Sequence, residues 1–390
     1  MLAAPKPMEV VMRIAAFNVE NLFDRAKALN EDSAEATRVI KAAAELNSLF
    51  EKESYDDADK ARMLELMDIL GVLHKDDSVY VWLRRSRGKL VNRPRDSAKP
   101  VTIEANGRGD WIGWIEHKKA HVNETAVLNT GRVIRDVDAD ILAVVEADNR
   151  KALINFTDFV LSQVKDEVAT PPTPYRQVML IDGNDDRGID VGLMTKAGYP
   201  IGLMRSHVDE MRGDERLFSR DSPEFAVSTP GGETIWIVPN HLKSKFGGDT
   251  GPVRARREAQ AKRVREIYDR LISDGHANVV VLGDLNDTPN SPALQPLLAN
   301  GGPRDVSEHQ SFDTGEFAGR GTFALGNDSN KIDYLLLSPA LFGRVTACGL
   351  FRKGAWPGKN PRRWSVYPEL KEELHVASDH HVIWADINLA

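Results

Sequence analysis

Residues 279–287 read V-V-V-L-G-D-L-N-D. Four apolar β-formers, Val279 to Leu282, run without a polar interruption, which is the pattern of a strand covered on both faces. Gly283 follows and lets the backbone turn without a Cβ penalty. Asp284, Asn286 and Asp287 then fall within four residues. Asp284 and Asn286 are two apart, so on extended backbone their side chains share a side. A carboxylate and an amide delivered together suit a hard divalent cation such as Mg2+. They equally suit a strand-to-loop turn capped by Asx side chains, and the flanking chain has to decide between the two.

The same design recurs on both sides of this stretch. R-I-A-A-F-N-V at 13–19 is an apolar strand ending on Asn18, with Glu20 just beyond, and D-I-L-A-V-V-E at 140–146 ends on Glu146. Strands at 224–229 and 234–239 flank the turn P-G-G-E, a hairpin signal. The second delivers Asn240 and His241, then Lys243 and Ser244. K-I-D-Y-L-L-L-S-P carries Asp333, and A-S-D-H-H-V-I-W opens a last strand with Asp379, His380 and His381. Further strands are expected near 176–181 and 190–195, with Arg187 just before the latter. Helical periodicity marks 123–138, 150–166 and 252–273. In the last of these Ala261, Val264, Tyr268 and Leu271 face inward, and Arg254, Arg256, Arg257, Lys262, Arg263 and Arg265 make a basic outer face.

Between Asn18 and Glu146 the pattern changes. Val39, Ile40, Ala43, Leu46 and Phe50, then Leu64, Met67 and Leu70, repeat at helical spacing and predict two amphipathic helices within 27–71. Residues 78–120 are richer in β-formers and turns and read as hairpin-like. Tyr80, Trp82, Trp111 and Trp114 there either pack this segment or touch a ligand. The expectation is one domain over 1–390 with an inserted helical and hairpin subregion at about 27–120, serving as a lid or substrate wall or as a structural appendage.

Composition sets outer bounds. A single Cys, Cys348, excludes an internal disulfide, and the formal net charge of −7 argues against bulk non-specific binding of nucleic acid. No stretch reaches the roughly 18 apolar residues of a membrane span, and the N-terminus lacks a long apolar segment. A soluble, cytoplasmic protein is expected.

Several strand ends that deliver Asn, Asp, Glu or His point to one pocket along the rim of a sheet. Carboxylates, amides and two histidines, without a Cys cluster, match metal-assisted hydrolysis of a phosphoester better than zinc chemistry. The succession F-N-V, I-L-A-V-V-E, P-N-H-L-K-S-K, G-D-L-N-D-T-P, I-D-Y-L-L-L-S and S-D-H-H resembles the endonuclease/exonuclease/phosphatase superfamily, the fold of pancreatic-type deoxyribonuclease. The resemblance spans nearly the whole chain apart from the insert. It implies an α/β fold, a four-layer α/β sandwich of two face-to-face mixed β-sheets flanked by helices, with the active site at one end.

The resemblance also implies roles. Glu146 would be the principal metal carboxylate, with Asn18 beside it and Asp379 completing the shell around Mg2+ or Mn2+. Asp284 would position or activate the attacking water, and Asn286 would hold it or a phosphate oxygen. His380, oriented by Asp333, would contact the scissile phosphate or act as acid/base. His241 would stabilise the pentacovalent phosphate or protonate the leaving oxygen, and Arg187 would reach the phosphate. Asn240 and Lys243 are candidate substrate contacts. The expected activity is a nuclease cleaving nucleic-acid phosphodiesters. The alternatives are a phosphatase or phosphodiesterase on a small or lipid phosphoester, and a non-catalytic binding module that keeps only the fold.

Some residues have weaker readings. His381 is expected to pack rather than react, because neighbours on a strand face opposite sides. His207, His276 and His375 are expected at the surface, and Arg220 with Asp221 as a buried pair. The 351–364 loop mixes Arg352, Lys353, Lys359, Arg362 and Arg363 with Phe351, Trp356 and Trp364. It reads either as a nucleic-acid-contacting loop or as a solvated loop with aromatics tucked beneath it.

Overall fold

The computed structural model describes residues 11–20, 34–96, 98–118, 123–164, 174–185, 188–245 and 248–389, apart from the side chains of 34–37 and 163. Contacts divide the chain into two units, Asp24–His121 and the remainder, Met1–Phe23 with Val122–Ala390.

The larger unit is built from two mixed sheets. In the first, seven strands lie in the order Phe312–Asp313, Val345–Phe351, Val382–Asn388, Val11–Asn18, Ile141–Ala147, Asp190–Lys196 and Tyr175–Ile181. In the second, six lie in the order Arg304–Asp305, Asp333–Leu337, Val279–Asp284, Thr234–His241, Glu224–Ser228 and Ile201–Arg205. Alternation along the strands sorts side chains into layers. Met12, Ile14, Ala16 and Ala143 of the first sheet meet Phe225, Ile237, Val280, Leu282 and Leu335 of the second in a shared core. On its other face the first sheet packs Phe17, Leu142 and Val144 against Val133, Ile134 and Val137 of the helix Glu124–Val137. The second sheet packs Val238, Val279 and Val281 against Val264, Ile267 and Leu271 of the helix Gly251–Ser273. The order is helix, sheet, sheet, helix, a four-layer α/β sandwich. The run 279–282 is therefore dry on both sides because odd residues meet a helix and even residues meet the other sheet.

Two strands carry no clear periodic signal. Ile201–Arg205 is an edge strand that exposes most of its apolar residues, and Val345–Phe351 interrupts its alternation at a bulge. The helix expected over 150–166 is helical over Arg150–Asn155, widens into a π-turn at Phe156–Val160 and ends at Gln163. The basic face of the long helix is also less uniform than its composition implies. Arg257 is fully buried, and its guanidinium donates to Asp287 Oδ2, Asp249 Oδ1 and the Lys243 carbonyl at 2.8–2.9 Å. This corrects its assignment to a solvated face.

The smaller unit has its own core. Helices Ala34–Phe50 and Asp57–Ile69 bury Val39, Ala43, Leu46, Phe50, Met63 and Met67 around Val81, Trp111 and Ile115. A capping box between Asp56 and Asp59 starts the second helix. Val81–Gly88 pairs antiparallel with Trp111–His117 in a two-stranded sheet.

Leu282 is fully buried in the layer between the sheets. Leu282→Ala leaves a cavity there and is expected to lower the unfolding free energy by about 2–5 kcal/mol. Urea denaturation reads this as a lower midpoint at unchanged slope. A midpoint equal to the parent's would show that the site collapses without cost.

Candidate active site

Strand register places the polar side chains. His241, Asp284 and Asp333 are aligned across three neighbouring strands of the second sheet. In the first sheet the parallel strands Val11–Asn18 and Ile141–Ala147 end side by side. Val382–Asn388 runs antiparallel to Val11–Asn18, so His380 just before it returns to the same end. Both sheets thus open on one rim. Across it, Asn18 Nδ2 lies 3.3 Å from Asp284 Oδ2 and 3.4 Å from His380 Nε2. His241 Nε2 lies 3.6 Å from both Glu146 Oε1 and Asp284 Oδ2. Asp379 Oδ1 is 3.8 Å from His380 Nε2 on the more open side.

Unusual backbone aims these groups. Gly283 has φ +120°, and a Cβ there would lie 2.2 Å from the Asn240 carbonyl oxygen, so any side chain would push the two strands apart. Glu146, at φ +63°, occupies a bulge between Val145 and Ala147 that turns its carboxylate into the rim. Asn286, at φ +55°, folds back instead of continuing the strand. Its N–H donates to Asp284 Oδ1 at 2.8 Å and its Nδ2 to Asp284 Oδ2 at 3.0 Å. Asp284 and Asn286 therefore meet through an Asx turn, not through two-residue alternation: the capped-turn reading and the shared-site reading describe the same residues.

Asp333 Oδ2 and His380 Nδ1 are 2.8 Å apart. This leaves Nε2 facing Asn18. The dyad is braced from behind by two residues that no sequence pattern flagged, Thr322 and Ser378, and by Glu20. Thr322 Oγ1 accepts from the N–H groups of Asp333 and Ile332. Ser378 Oγ accepts from His380 N–H and donates to the Asn18 carbonyl. Glu20 Oε2 accepts from Asp379 N–H at 3.1 Å. Thr322 and Ser378 are small polar residues in loops, and only their buried partners reveal the role.

Charge is concentrated here. Burial opposes protonation of His380, but the carboxylates of Asp333, Asp379 and Asp284 outweigh it and raise the ring's pKa well above the ordinary histidine value. Burial pushes Asp284 up to about 7, reinforced by Asp333 and opposed by His380. His381 faces the other way, between the carbonyls of Gly321 and Ala324, and burial together with Arg352 drives it down to about 3.

The remaining candidates are spread out. Asn240 is fully buried, donating to the Val238 carbonyl and accepting from Ser222 Oγ. The backbone of Lys243 is pinned by Gln260 and Arg257. Arg187 lies outside the described residues. Arg220 is buried but pairs with Asp185 at 3.1 Å, while Asp221 accepts from the N–H groups of His207 and Ser222, so the two are not each other's partners. His207 is buried between Glu210 and Glu224, a correction to its expected place at the surface. In the 351–364 loop, Arg352 donates to the carbonyls of Thr314, Gly319 and Gly321, and Trp364 is buried with its Nε1 on the Ala355 carbonyl. These two residues knit the loop to 314–321.

The donor set suits a hard cation. Glu146 and Asp379 bring carboxylate oxygens to the rim. Asp284, Asp333 and His380 each offer a ligand atom within 4.8 Å of one another. Cysteine is absent from the set, and oxygen donors in the majority fit Mg2+ or Mn2+ better than zinc.

Residues 105–350 match the endonuclease/exonuclease/phosphatase family profile, more than half of the chain. The chain belongs to the endonuclease/exonuclease/phosphatase family, a family of phosphoester hydrolases that generally use divalent metals. No curated protein matches it. Among solved structures, it is similar to truncated TDP2 of Caenorhabditis elegans, at 14% identity over 68% of this chain and 91% of that one, with a TM-score of 0.44. An endonuclease/exonuclease/phosphatase from Bacteroides vulgatus aligns at 18% identity over 67% of this chain and 91% of that one, TM-score 0.46. The human Nocturnin catalytic domain with bound sulfate aligns at 15% identity over 68% and 87%, TM-score 0.45.

Because the folded pKa of His380 exceeds the unfolded one, protonation of the ring stabilises the fold fully below about pH 6.5. That contribution fades as pH rises through the folded value. Asp333→Asn removes the partner carboxylate, so His380 is expected to titrate at lower pH when followed by NMR of its ring in metal-free protein. An unmoved titration would dissociate the two residues.

Proposed function

We propose that this protein hydrolyses the phosphodiesters of nucleic acid by attack of an activated water, with Mg2+ or Mn2+ as cofactor. The observation that supports this best is the meeting of Asn18, Glu146, His241, Asp284 and His380 within hydrogen-bonding or ion-pairing reach at one rim. Glu146 and Asp379, with Asn18, would hold the cation. When bound, the cation withdraws charge from the phosphoryl oxygens. Asp284 takes the proton of the attacking water, a role suited to a carboxyl group pushed up to about 7. Asn286, locked to Asp284 and to the Leu242 carbonyl, fixes that carboxylate and the water's approach. His380, kept cationic by Asp333, faces the developing negative charge. His241, on the opposite side of Asp284, protonates the leaving oxygen. Lys243 and Arg187 complete the phosphate and substrate contacts, whereas Asn240, fully buried between the Val238 carbonyl and Ser222 Oγ, is a scaffold residue and not the substrate contact expected of it. The unit Asp24–His121 is an insertion into this single catalytic domain.

The test is a panel of plasmid DNA, single-stranded DNA, RNA, a bis-aryl phosphodiester and a phosphomonoester, each with Mg2+, Mn2+ or EDTA. Cleavage of polynucleotide and of the aryl diester, abolished by EDTA, is expected. Activity on the monoester alone would replace the nuclease reading with a phosphatase, and inertness toward everything would favour a binding module. Asp284→Ala and His380→Ala are each expected to lower kcat by roughly two to four orders of magnitude with the circular dichroism spectrum unchanged. Near-parental turnover in either variant would remove that residue from the mechanism.

A further inference from the structure

The smaller unit carries a basic hairpin surface of its own. Residues 78–95 contain six basic residues, Arg84, Arg85, Arg87, Lys89, Arg93 and Arg95, and no acidic one, within a chain of net charge −7. The structure separates those that build the unit from those that face outward. Arg93 is structural, with its guanidinium on the carbonyls of Val72, Leu73 and Lys75. Arg84 and Arg87 lie on the exposed end of the strand Val81–Gly88.

Register defines what shares their face. Trp82 stands opposite Glu116, Arg84 opposite Trp114 and, beyond a bulge, Arg87 opposite Ile112. One face of the hairpin thus presents Trp82, Arg84 and Arg87 beside Ile112, Trp114 and Glu116. The other face sends Val81, Trp111 and Ile115 into the core. The aromatics of this segment therefore divide, with Tyr80 partly buried against the core. Trp111 is 1% exposed, packed on Phe50, whereas Trp114 is 45% exposed. Trp82 is half-buried beneath cations, with the Arg84 guanidinium 4.4 Å and Lys118 Nζ 5.1 Å from its ring. Gly113, beside Trp114, has no room for a side chain, since its Cβ would lie 2.2 Å from the Arg84 carbonyl.

We propose that this hairpin face binds a single-stranded polynucleotide, with a base stacking on Trp114 and phosphates held by Arg84 and Arg87. An exposed indole on a rigid strand is a sequence-tolerant stacking platform, and flanking guanidinium groups neutralise backbone charge. Glu116 lies on this face, and its salt bridge to Arg84, 2.6 Å long, fixes that guanidinium over the Trp82 ring, while Asp77 pairs with Lys118 next to it. Trp114 and Ile112 alone do not make the broad apolar face that lies in a lipid interface, so charge complementarity favours nucleic acid. The choice of partner class rests on the nuclease reading above. The surface itself rests on the hairpin.

Binding is measured with the full chain in EDTA, by fluorescence anisotropy of labelled oligodeoxythymidine and oligouridine, across a salt series. Trp114→Ala is expected to weaken binding roughly fivefold or more. Arg84→Ala/Arg87→Ala is expected to weaken it about tenfold or more and to reduce the slope of log K on log salt by about 1.4. Circular dichroism and the unfolding midpoint verify that both variants fold. Parental affinity and salt slope in both variants overturn the proposal, even where the parent cleaves polynucleotide. Loss of binding only to phosphatidylserine/phosphatidylcholine vesicles, with oligonucleotide binding intact, also overturns it. Oligonucleotide binding that depends on the hairpin in a protein that cleaves no polynucleotide upholds the surface and defeats the nuclease reading instead.

Discussion

Asp284 and Asp333 stand directly opposite each other on neighbouring antiparallel strands, both almost completely buried. Like charges in that position repel, and removal from water magnifies the cost. Much of the rim can be understood as what makes the pair tolerable. His380 lies against Asp333 as a cation, Asn18 and Asn286 each direct an amide nitrogen at Asp284, and Thr322 accepts the backbone N–H of Asp333. The compensation is incomplete, and the remaining cost appears as an Asp284 carboxyl that holds its proton up to about pH 7. A bound divalent cation is the natural complement to such a site, because it relieves the repulsion that folding leaves in place.

The backbone bears part of that cost as well. Five described non-glycine residues have positive φ, and Glu20, Glu146, Asn286 and Ala324 are four of them. Three of these carry or brace rim side chains, and the fourth donates its N–H to the Asp379 carbonyl. Conformations of this kind cost of order 1–3 kcal/mol each and persist where surrounding structure over-determines them. Here that structure is a set of buried polar anchors. Arg257 and Asp287 tie the loop after His241 to the loop after Asp284, and Arg352 ties 352–364 to 314–321.

Much of this was legible in the sequence, for a physical reason. Strands buried on both faces must be continuously apolar, so a polar residue can sit only where they end, and strand ends in a layered sheet share a rim. That logic located Asn18, Glu146, His241, Asp284 and His380 together without coordinates, and the family resemblance added Asp333 as the partner of His380. The same logic did not locate Thr322 or Ser378, because a serine or threonine that accepts one buried N–H has the same sequence signature as one in an ordinary turn. Nor did it find the strand Ile201–Arg205, whose exposed apolar residues lack the alternation that burial imposes.

Arginine was the residue type most readily misread, and the errors share a cause. Periodicity assigns a charged residue to the wet face of a helix or to a solvated loop, yet Arg257 and Arg352 are almost completely buried. A guanidinium has five donors in a fixed fork, so it can be buried wherever several carbonyls or carboxylates converge. The converging acceptors come from segments distant in sequence, such as Asp287 for Arg257, and are invisible to any local window. Asp287 within G-D-L-N-D was the one available signal, since a third polar residue exceeds what a turn needs. The hairpin arginines show the opposite case. Of the six basic residues at 78–95, Arg93 meets three carbonyls and becomes structural. Arg84 and Arg87, carried on an exposed strand end beside Trp114, are held by Glu116 and by the Gly109 carbonyl respectively, yet keep their guanidinium groups at the surface. Exposure alone does not distinguish a functional cation from a solvated one. What distinguishes these is their fixed register against an indole that the core leaves uncovered.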